Sequence, residues 1–369
     1  MTIRDICTLI EAWAPPAIAW EKDNVGLLIG SAGRRVRKVL VCLDVTPSVV
    51  DEAVSAGAGL IVSHHPLIFT PLRRIDPETP AGRMIGTLVR SRIGLYAAHT
   101  NFDFTDGGVS HTLARRLGLG NVAPLSPLHG REKKIVVFVP PTHAGGVMQA
   151  MAGAGAGVIG RYESCSFTTE GIGSFVPRPG SKPFLGTKGN FERVGETRLE
   201  MVCPSWRVEA VVGAMRSVHP YDEPACDVYP TESPSRGMGM GSVGELEAPL
   251  GLRPFLGLVA RKLRARGLRY SGPRGRRIRR VAVCGGSGSE LLGDAVRSGA
   301  DAFVTADIRY HAFQEVSDDI VLVDAGHYET EHPAVATLAG FLRAAPGVAK
   351  ERVAVIESKN SHNPVNYFR

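Results

Sequence analysis

"RKVLVCLDVTPSVVDEAVSAGAGLIVSHHP", residues Arg37 to Pro66, aligns without a gap on "RRVAVCGGSGSELLGDAVRSGADAFVTADI", residues Arg279 to Ile308. Valines, a cysteine, an "AV" pair and a "GA" pair coincide, placing Cys42 over Cys284, Gly57 over Gly299 and His65 over Asp307. In each copy an apolar β-branched run is followed by small or polar residues, an amphipathic helical pattern and a second apolar run. This is a β-α-β unit, present twice. Both copies continue alike: a further apolar strand ("IGLYAAHTNFD", "DIVLVDAGHYETE") ends in polar residues, and a helix follows ("GVSHTLARRLGL", "HPAVATLAGFLRAA"). The expected fold class is α/β, with a duplicated α/β-layer core.

Between the copies the pattern changes. Strand "KIVVFVP", helix "AGGVMQAMAG", strands "YESCSFTTEG" and "TRLEMVC", helix "WRVEAVVGAMRSV" and strand "PACDVYP" read as a ferredoxin-like split β-α-β. Proline-, glycine- and serine-rich flanks mark its boundaries. The expected organisation is an inserted α+β domain over 131–235, interrupting a core domain made of 1–130 and 236–369.

A chain of 369 residues exceeds one ordinary core, in keeping with two domains. With 44% hydrophobic and 21% charged residues it has a globular composition, and no stretch is apolar for long enough to cross a bilayer. The opening "MTIRDICTLIEAWAPP" does not read as a secretory signal, so a cytoplasmic location is expected. Six dispersed cysteines, none in CxxC, read as reduced core residues. The net charge of +7 is carried mainly by arginine, notably in "RRVRK" and "RKLRARGLRYSGPRGRRIRR". No base-stacking aromatics interleave these runs, so a solvated basic face is favoured over nucleic-acid binding.

Ligands of open α/β sheets gather beyond the carboxyl ends of the strands. Four such ends carry chemistry: "SHHP" (His64, His65), "HTNFD" (His99, Asp103), "TADIRYH" (Asp307, Tyr310, His311) and "GHYETE" (His327, Glu331). Imidazole nitrogen and carboxylate oxygen without thiolate suit zinc, manganese, iron or cobalt in a reactive rather than a structural site. His327 and Glu331 are four apart and share a helix face. Taken singly, a strand-end histidine is more often a cap, and HxxxE is common by chance on exposed helices. Matching placement in two repeated halves favours metal. Three histidines and two carboxylates exceed what one ion needs, so two divalent ions sharing a carboxylate are expected. His99 reads equally as a ligand, a partner of a ligand, or a strand end. Asp307, Tyr310 and His311 read as supporting or substrate-contacting groups, and His311 and His99 are candidates to move protons. Asp23, Asn24 and Asp44 are pocket candidates, although Asp44 reads equally as a helix cap with Thr46. "CGGSGSELL" reads either as a phosphate loop without its lysine or as a tight strand-to-helix turn.

"DNVGLLIG", "SHHPLIF", "AAHTNFD", "CGGSGSELLGDAVRSGADAFVTADIRYH" and "DAGHYETEHPAV" together resemble the NGG-interacting-factor-three-like dinuclear metal-centre family, whose bacterial members are commonly labelled GTP cyclohydrolase 1 type 2 homologs. "GAGVIGRYESCSFTTEGIGSF" and "HPYDEPACDVYP" are similar to the PII/CutA-like insert of its longer bacterial members. The resemblance spans nearly the whole chain. It implies metal ligation by His64, His65, Asp103, His327 and Glu331, with Glu331 bridging, and a toroidal homohexamer. Ala306 departs from the pattern, standing where a glycine is expected. The reaction expected is metal-dependent hydrolysis of a nucleotide-like small molecule, of the GTP cyclohydrolase type that opens the purine ring. The alternatives are a metal-dependent phosphoesterase and a non-catalytic metal-binding hexameric scaffold or regulator.

Overall fold

The computed structural model describes residues 1–235, 237–316 and 319–368. The chain forms two compact units, one of Met1–Pro127 with Gly237–Arg369, the other of Leu128–Arg236. The larger unit opens with α1 (Ile3–Trp13), β1 (Gly26–Ile29), β2 (Lys38–Cys42), α2 (Pro47–Ser55) and β3 (Leu60–Ser63). It continues through α3 (Pro80–Arg90), β4 (Gly94–Ala97), α4 (Thr100–Phe104), α5 (Val109–Leu117) and β5 (Gly120–Pro127). The smaller unit is β6 (Glu132–Val139), α6 (Pro141–Gly153), β7 (Phe167–Phe175), β8 (Glu192–Pro204), α7 (Val208–Val218) and β9 (Cys226–Pro230). The chain then returns as β10 (Gly239–Gly251), α8 (Leu252–Leu263), β11 (Arg269–Ser271), β12 (Arg277–Ser287), α9 (Leu292–Arg297) and β13 (Ala302–Ala306). Last come α10 (Tyr310–Gln314), β14 (Val321–Asp324), α11 (His327–Glu331), α12 (Pro333–Ala344), α13 (Pro346–Lys350) and β15 (Ala354–Glu357).

Two sheets carry the repeat. One is ordered β1-β4-β3-β2-β15 and the other β11-β14-β13-β12-β10-β5. In both, three parallel strands (β2-β3-β4, β12-β13-β14) end on an antiparallel edge strand, β1 or β11. The parallel strands are buried on both faces, which is why they read as continuous apolar runs rather than alternating ones. Thr46 accepts a hydrogen bond from Val49 N to cap α2, and Pro47 supplies the pre-set φ of a first helical residue.

The repeat is not closed on itself. α5, which follows β4 of the first half, buries Leu113, Ala114 and Leu117 against Val281, Val283 and Val304 of the second sheet and Phe255 of α8. Reciprocally, α12, after β14 of the second half, buries Ala334, Leu338 and Leu342 against Val39, Val41, Leu60 and Val62 of the first. Each fully buried leucine or valine contributes roughly 1.5–3 kcal/mol, so this exchange ties the halves into one body. β15 likewise joins the first sheet, parallel to β2.

In the smaller unit all pairings are antiparallel and the order is β7-β8-β6-β9. Val147, Met151, Val211 and Met215 of its helices cover Ile135, Val137, Leu199 and Met201 of its sheet. The strand expected from Tyr162 begins only at Phe167, because a tight Ile159–Tyr162 bridge and a left-handed Ser164 (φ 57°) occupy the preceding residues.

Candidate metal centre

Strand ends place the reactive groups. Beyond β3 the ladder runs on for two residues, with His64 N donating to Cys42 O (3.1 Å) and His65 N to Leu43 O (2.9 Å), until Pro66 can donate no further bond. Both imidazoles are therefore set by backbone. His99 caps α4, its carbonyl accepting from Phe102 N (2.8 Å) and Asp103 N (3.0 Å), which orients Asp103 in the first turn. Gly326 (φ 91°) turns the chain out of β14 into α11, whose first and last residues are His327 and Glu331.

Each of four histidines donates its Nδ1 proton to an oxygen. His64 donates to Ala98 O (2.8 Å), His65 to Asp44 Oδ1 (2.7 Å), His99 to Asp23 Oδ1 (2.9 Å) and His327 to Asp307 Oδ2 (2.6 Å). Such bonds fix ring orientation and tautomer, leaving Nε2 of the neutral ring as a lone pair. Those nitrogens converge. His64, His65 and His99 offer donor atoms within 4.8 Å of one another, as do His65, His327 and Glu331. The two carboxylate oxygens of Glu331 face different partners: Oε2 lies 3.0 Å from Nε2 of both His65 and His327, and Oε1 lies 3.8 Å from Nε2 of His64. His64 Nε2 is also 3.7 Å from Asp103 Oδ1.

The electrostatics show a cluster short of positive charge. Burial alone would raise Glu331, yet the histidines around it hold its carboxyl well below the usual range. Burial pushes Asp103 up to about 7, against the pull of His64 and with Glu331 adding to it. Burial opposes protonation of His65 and His327, but Asp44 and Glu331 raise the first to about 10, and Glu331 and Asp307 the second to about 9. Among the described residues, no lysine or arginine pairs with Asp103 or Glu331. His64 Nε2, Asp103 Oδ1 and Glu331 Oε2 are buried without a hydrogen-bond partner. The short Glu331 contacts therefore lack the angle of a hydrogen bond, and orphaned donor atoms converging around two carboxylates fit cations.

His311 lies outside this cluster, exposed on α10, with its ring against Tyr310 and its Nδ1 near Gln314 Oε1 (3.4 Å). Asp44 serves His65 while Thr46 alone caps α2, and Asn24 Nδ2 donates to Ile68 O (2.6 Å). The backbone at Ala306 passes into a left-handed Asp307 (φ 54°), a conformation that asparagine and aspartate tolerate better than most residues. "CGGSGSELL" makes the tight strand-to-helix turn, from the end of β12 through Ser289–Leu291 into α9, but its first two glycines precede that turn. Gly285 and Gly286 lie inside β12, and a Cβ on Gly286 (φ 61°) would sit 2.1 Å from Glu331 Oε1. Their smallness makes room for a carboxylate that arrives from another element, a role carried by no local pattern.

A cleft of about 630 Å³ opens beside the cluster, with Asp44, His65, Asp307 and His327 on one wall. Arg269, Asn363 and Tyr367 line it as well. The segment holding Asn363 and Tyr367 is anchored upstream, where Glu52 accepts from Ser358 Oγ (2.6 Å), Lys359 N (3.0 Å) and Asn360 N (3.3 Å).

The model of the Duf34/NIF3 (NGG1p interacting factor 3) family matches residues 1–364. A protein of Bacillus subtilis (strain 168) named "GTP cyclohydrolase 1 type 2 homolog" is 42% identical over 327 residues, covering 88% of each chain. One of the same name from Mycobacterium leprae (strain TN) is 37% identical over 353 residues, covering 94% of this chain and 91% of its own. Among solved structures, a Bacillus cereus protein related to NIF3 superposes with a TM-score of 0.86 at 38% identity, covering 100% of this chain and 99% of its own. The Staphylococcus aureus protein SA1388 does so with a TM-score of 0.78 at 28% identity and the same coverage. With a whole-length family match and relatives above 30% identity across nearly the entire chain, this protein belongs to the Duf34/NIF3 family.

Proposed function

We propose that the protein is a metal-dependent hydrolase of a nucleotide-like small molecule, with two divalent ions held by His64, His65, Asp103, His327 and Glu331. The observation that carries this reading is the split of Glu331: Oε2 toward His65 and His327, Oε1 toward His64 with Asp103 beyond. That is the arrangement of a bridging carboxylate with one donor set on each side. When bound, the ions would supply Lewis acidity toward an electrophilic carbon or phosphorus at neutral pH.

The chain's own groups do the rest. Asp44, Asp307 and the Ala98 carbonyl hold three imidazoles in the ligating tautomer. His99, oriented by Asp23, presents Nε2 to the cluster as a further ligand or as the group that moves a proton. Tyr367 and Arg269 line the cleft, where they would contact a ring-bearing, anionic substrate, although Arg269 already pairs with Asp324. The reaction class favoured is the purine ring opening suggested by the relatives' names, carried out in the cytoplasm by a homohexameric ring.

The smaller unit we read as an inserted ferredoxin-like, PII/CutA-like domain. Its cavity of about 400 Å³, lined by Phe138, Phe175, Phe184 and Tyr221 beside Glu196 and Asp222, favours a second reading in which it senses a small ligand and regulates the core.

The decisive experiment quantifies metal and follows a nucleotide panel for both loss of purine absorbance and phosphate release, in wild type and Glu331→Gln. Metal-dependent loss of absorbance, abolished with metal occupancy in the variant, is expected. Phosphate release without that loss would replace ring opening by phosphoester hydrolysis. Unchanged turnover in a metal-verified variant would refute the site.

A further inference from the structure

Two basic segments far apart in the sequence meet on the larger unit. Arg115 and Arg116 end α5, while Lys262, Arg264 and Arg266 end and follow α8, and all five line one cavity of about 850 Å³. Arg116 Nε donates to Lys262 O (2.9 Å), which ties the two segments together. Among the described residues none of the five makes an ion pair.

The ordinary explanation for cations in a last helical turn is that they offset the negative end of the helix dipole. It accounts for Arg115, Arg116 and Lys262. It does not account for Arg264 and Arg266, which lie beyond α8, nor for convergence on one cavity. Arg264 in particular occupies the left-handed cap position (φ 56°) where glycine is the usual residue. An arginine there accepts a left-handed backbone that L-residues other than glycine rarely adopt, and places a guanidinium at the cavity. The cavity contains one carboxylate, Glu329, which is buried and already accepts from Asn363 Nδ2 (2.9 Å). It is therefore poorly placed to neutralise the five cations. The rings of Tyr328 and His332, with centroids 4.6 Å apart, add an aromatic wall.

We propose that this cavity binds a small oligophosphate, a molecule carrying two or more linked phosphate groups, through Arg115, Arg116, Lys262, Arg264 and Arg266. Guanidinium forks match phosphate oxygens two at a time. A cavity of this size exceeds what a single phosphate fills, and several clustered cations favour several linked charges. The cavity adjoins the metal cleft, with Tyr328, Glu329, Asn363 and Val365 lining both, but none of the five cations lines that cleft. It does not depend on the hydrolase reading.

The test is calorimetric titration of inorganic triphosphate into chelator-treated full-length protein at low and high salt. Saturable binding that weakens with salt is expected. Arg115→Gln/Arg264→Gln should weaken it by at least about tenfold, since each lost charged hydrogen bond is large on that scale. Glu331→Gln, and a remote pair Arg83→Gln/Arg90→Gln on α3, should bind as wild type does. Lys262→Gln/Arg266→Gln repeats the test should the first pair fail to fold. Absence of saturable binding, loss on Glu331→Gln, or equal loss in the remote pair would each overturn the proposal. The second would place the anion at the metal cleft, and the third would reduce the effect to net charge.

Discussion

Replacing Gly286 with alanine should empty the metal centre without unfolding the protein. The new Cβ would stand 2.1 Å from Glu331 Oε1 and 3.2 Å from His327 Cε1. Nonbonded contacts to a Cβ stay above 3.0 Å, so the carboxylate must retreat by about 0.9 Å. Metal–ligand distances tolerate only about 0.2 Å. Loss of a group that merely supports a ligand lowers metal affinity by about 10- to 100-fold, and here a ligand itself moves, so a loss of about 100-fold or more is expected. Separately, alanine at φ +61° carries a backbone penalty of roughly 1–2 kcal/mol. Gly299→Ala separates the two effects: its φ is +72° but nothing lies within 4 Å of a Cβ there. Competition against a chromogenic chelator measures affinity, and denaturant unfolding in excess chelator measures stability. Both variants should lose similar stability, and only Gly286→Ala should lose metal. Metal affinity within about twofold of wild type in a folded Gly286→Ala protein would refute the cradle argument.

Three further outcomes follow from the same geometry. In metal-free protein, His65 and His327 are raised to about 10 and about 9, above an unfolded value near 6.5. Their stabilising contribution is therefore complete below about pH 6.5 and is lost as pH rises through 9 to 10, so chelator-treated protein should melt progressively lower across that window. Metal must displace those protons, so its affinity should climb over the same range, with proton uptake by the buffer visible at pH 7 in titration calorimetry. Asp23→Asn removes the charged partner of His99 and weakens the acceptor for Thr100 N. Turnover should fall about 10- to 100-fold, whereas unchanged rates would remove His99 from the chemistry. Glu52→Ala frees the amide of Lys359 and leaves that of Asn360 with Ser358 Oγ alone. Hydrogen exchange from 358 to 367 should accelerate while the sheets stay protected, and the global stability loss should stay within about 1–3 kcal/mol.

Much of the candidate cluster was legible in the chain because its placement is local. His64 and His65 follow an apolar β-branched run and precede a proline, which sets them at a strand end whatever surrounds them. His327 and Glu331 lie four apart, so any helix there shows them together. The repeat of residues 37–66 at 279–308 announced equivalent strand ends. By contrast, Asp307 in the sequence is one polar residue over His65 in the alignment, and only the fold turns it toward His327. "CGGSGSELL" is the strand-to-helix turn that its composition allows, yet nothing in it told that Gly285 and Gly286 leave room for a side chain that approaches from α11. His311 followed its strand as regularly as His65 does, yet it lies outside the cluster, exposed on α10.

Sequence alone determined the buried parallel strands, the repeated β-α-β unit and the donor-bearing strand ends, because periodicity and helix spacing are set by neighbours a few residues apart. Tertiary structure decided the exchange of α5 and α12 between the sheets, the oxygen that anchors each Nδ1, and the glycine cradle under Glu331. Those are contacts between segments as distant as the 262 residues separating His65 from His327. They depend on which apolar face buries which, and no local pattern encodes that choice.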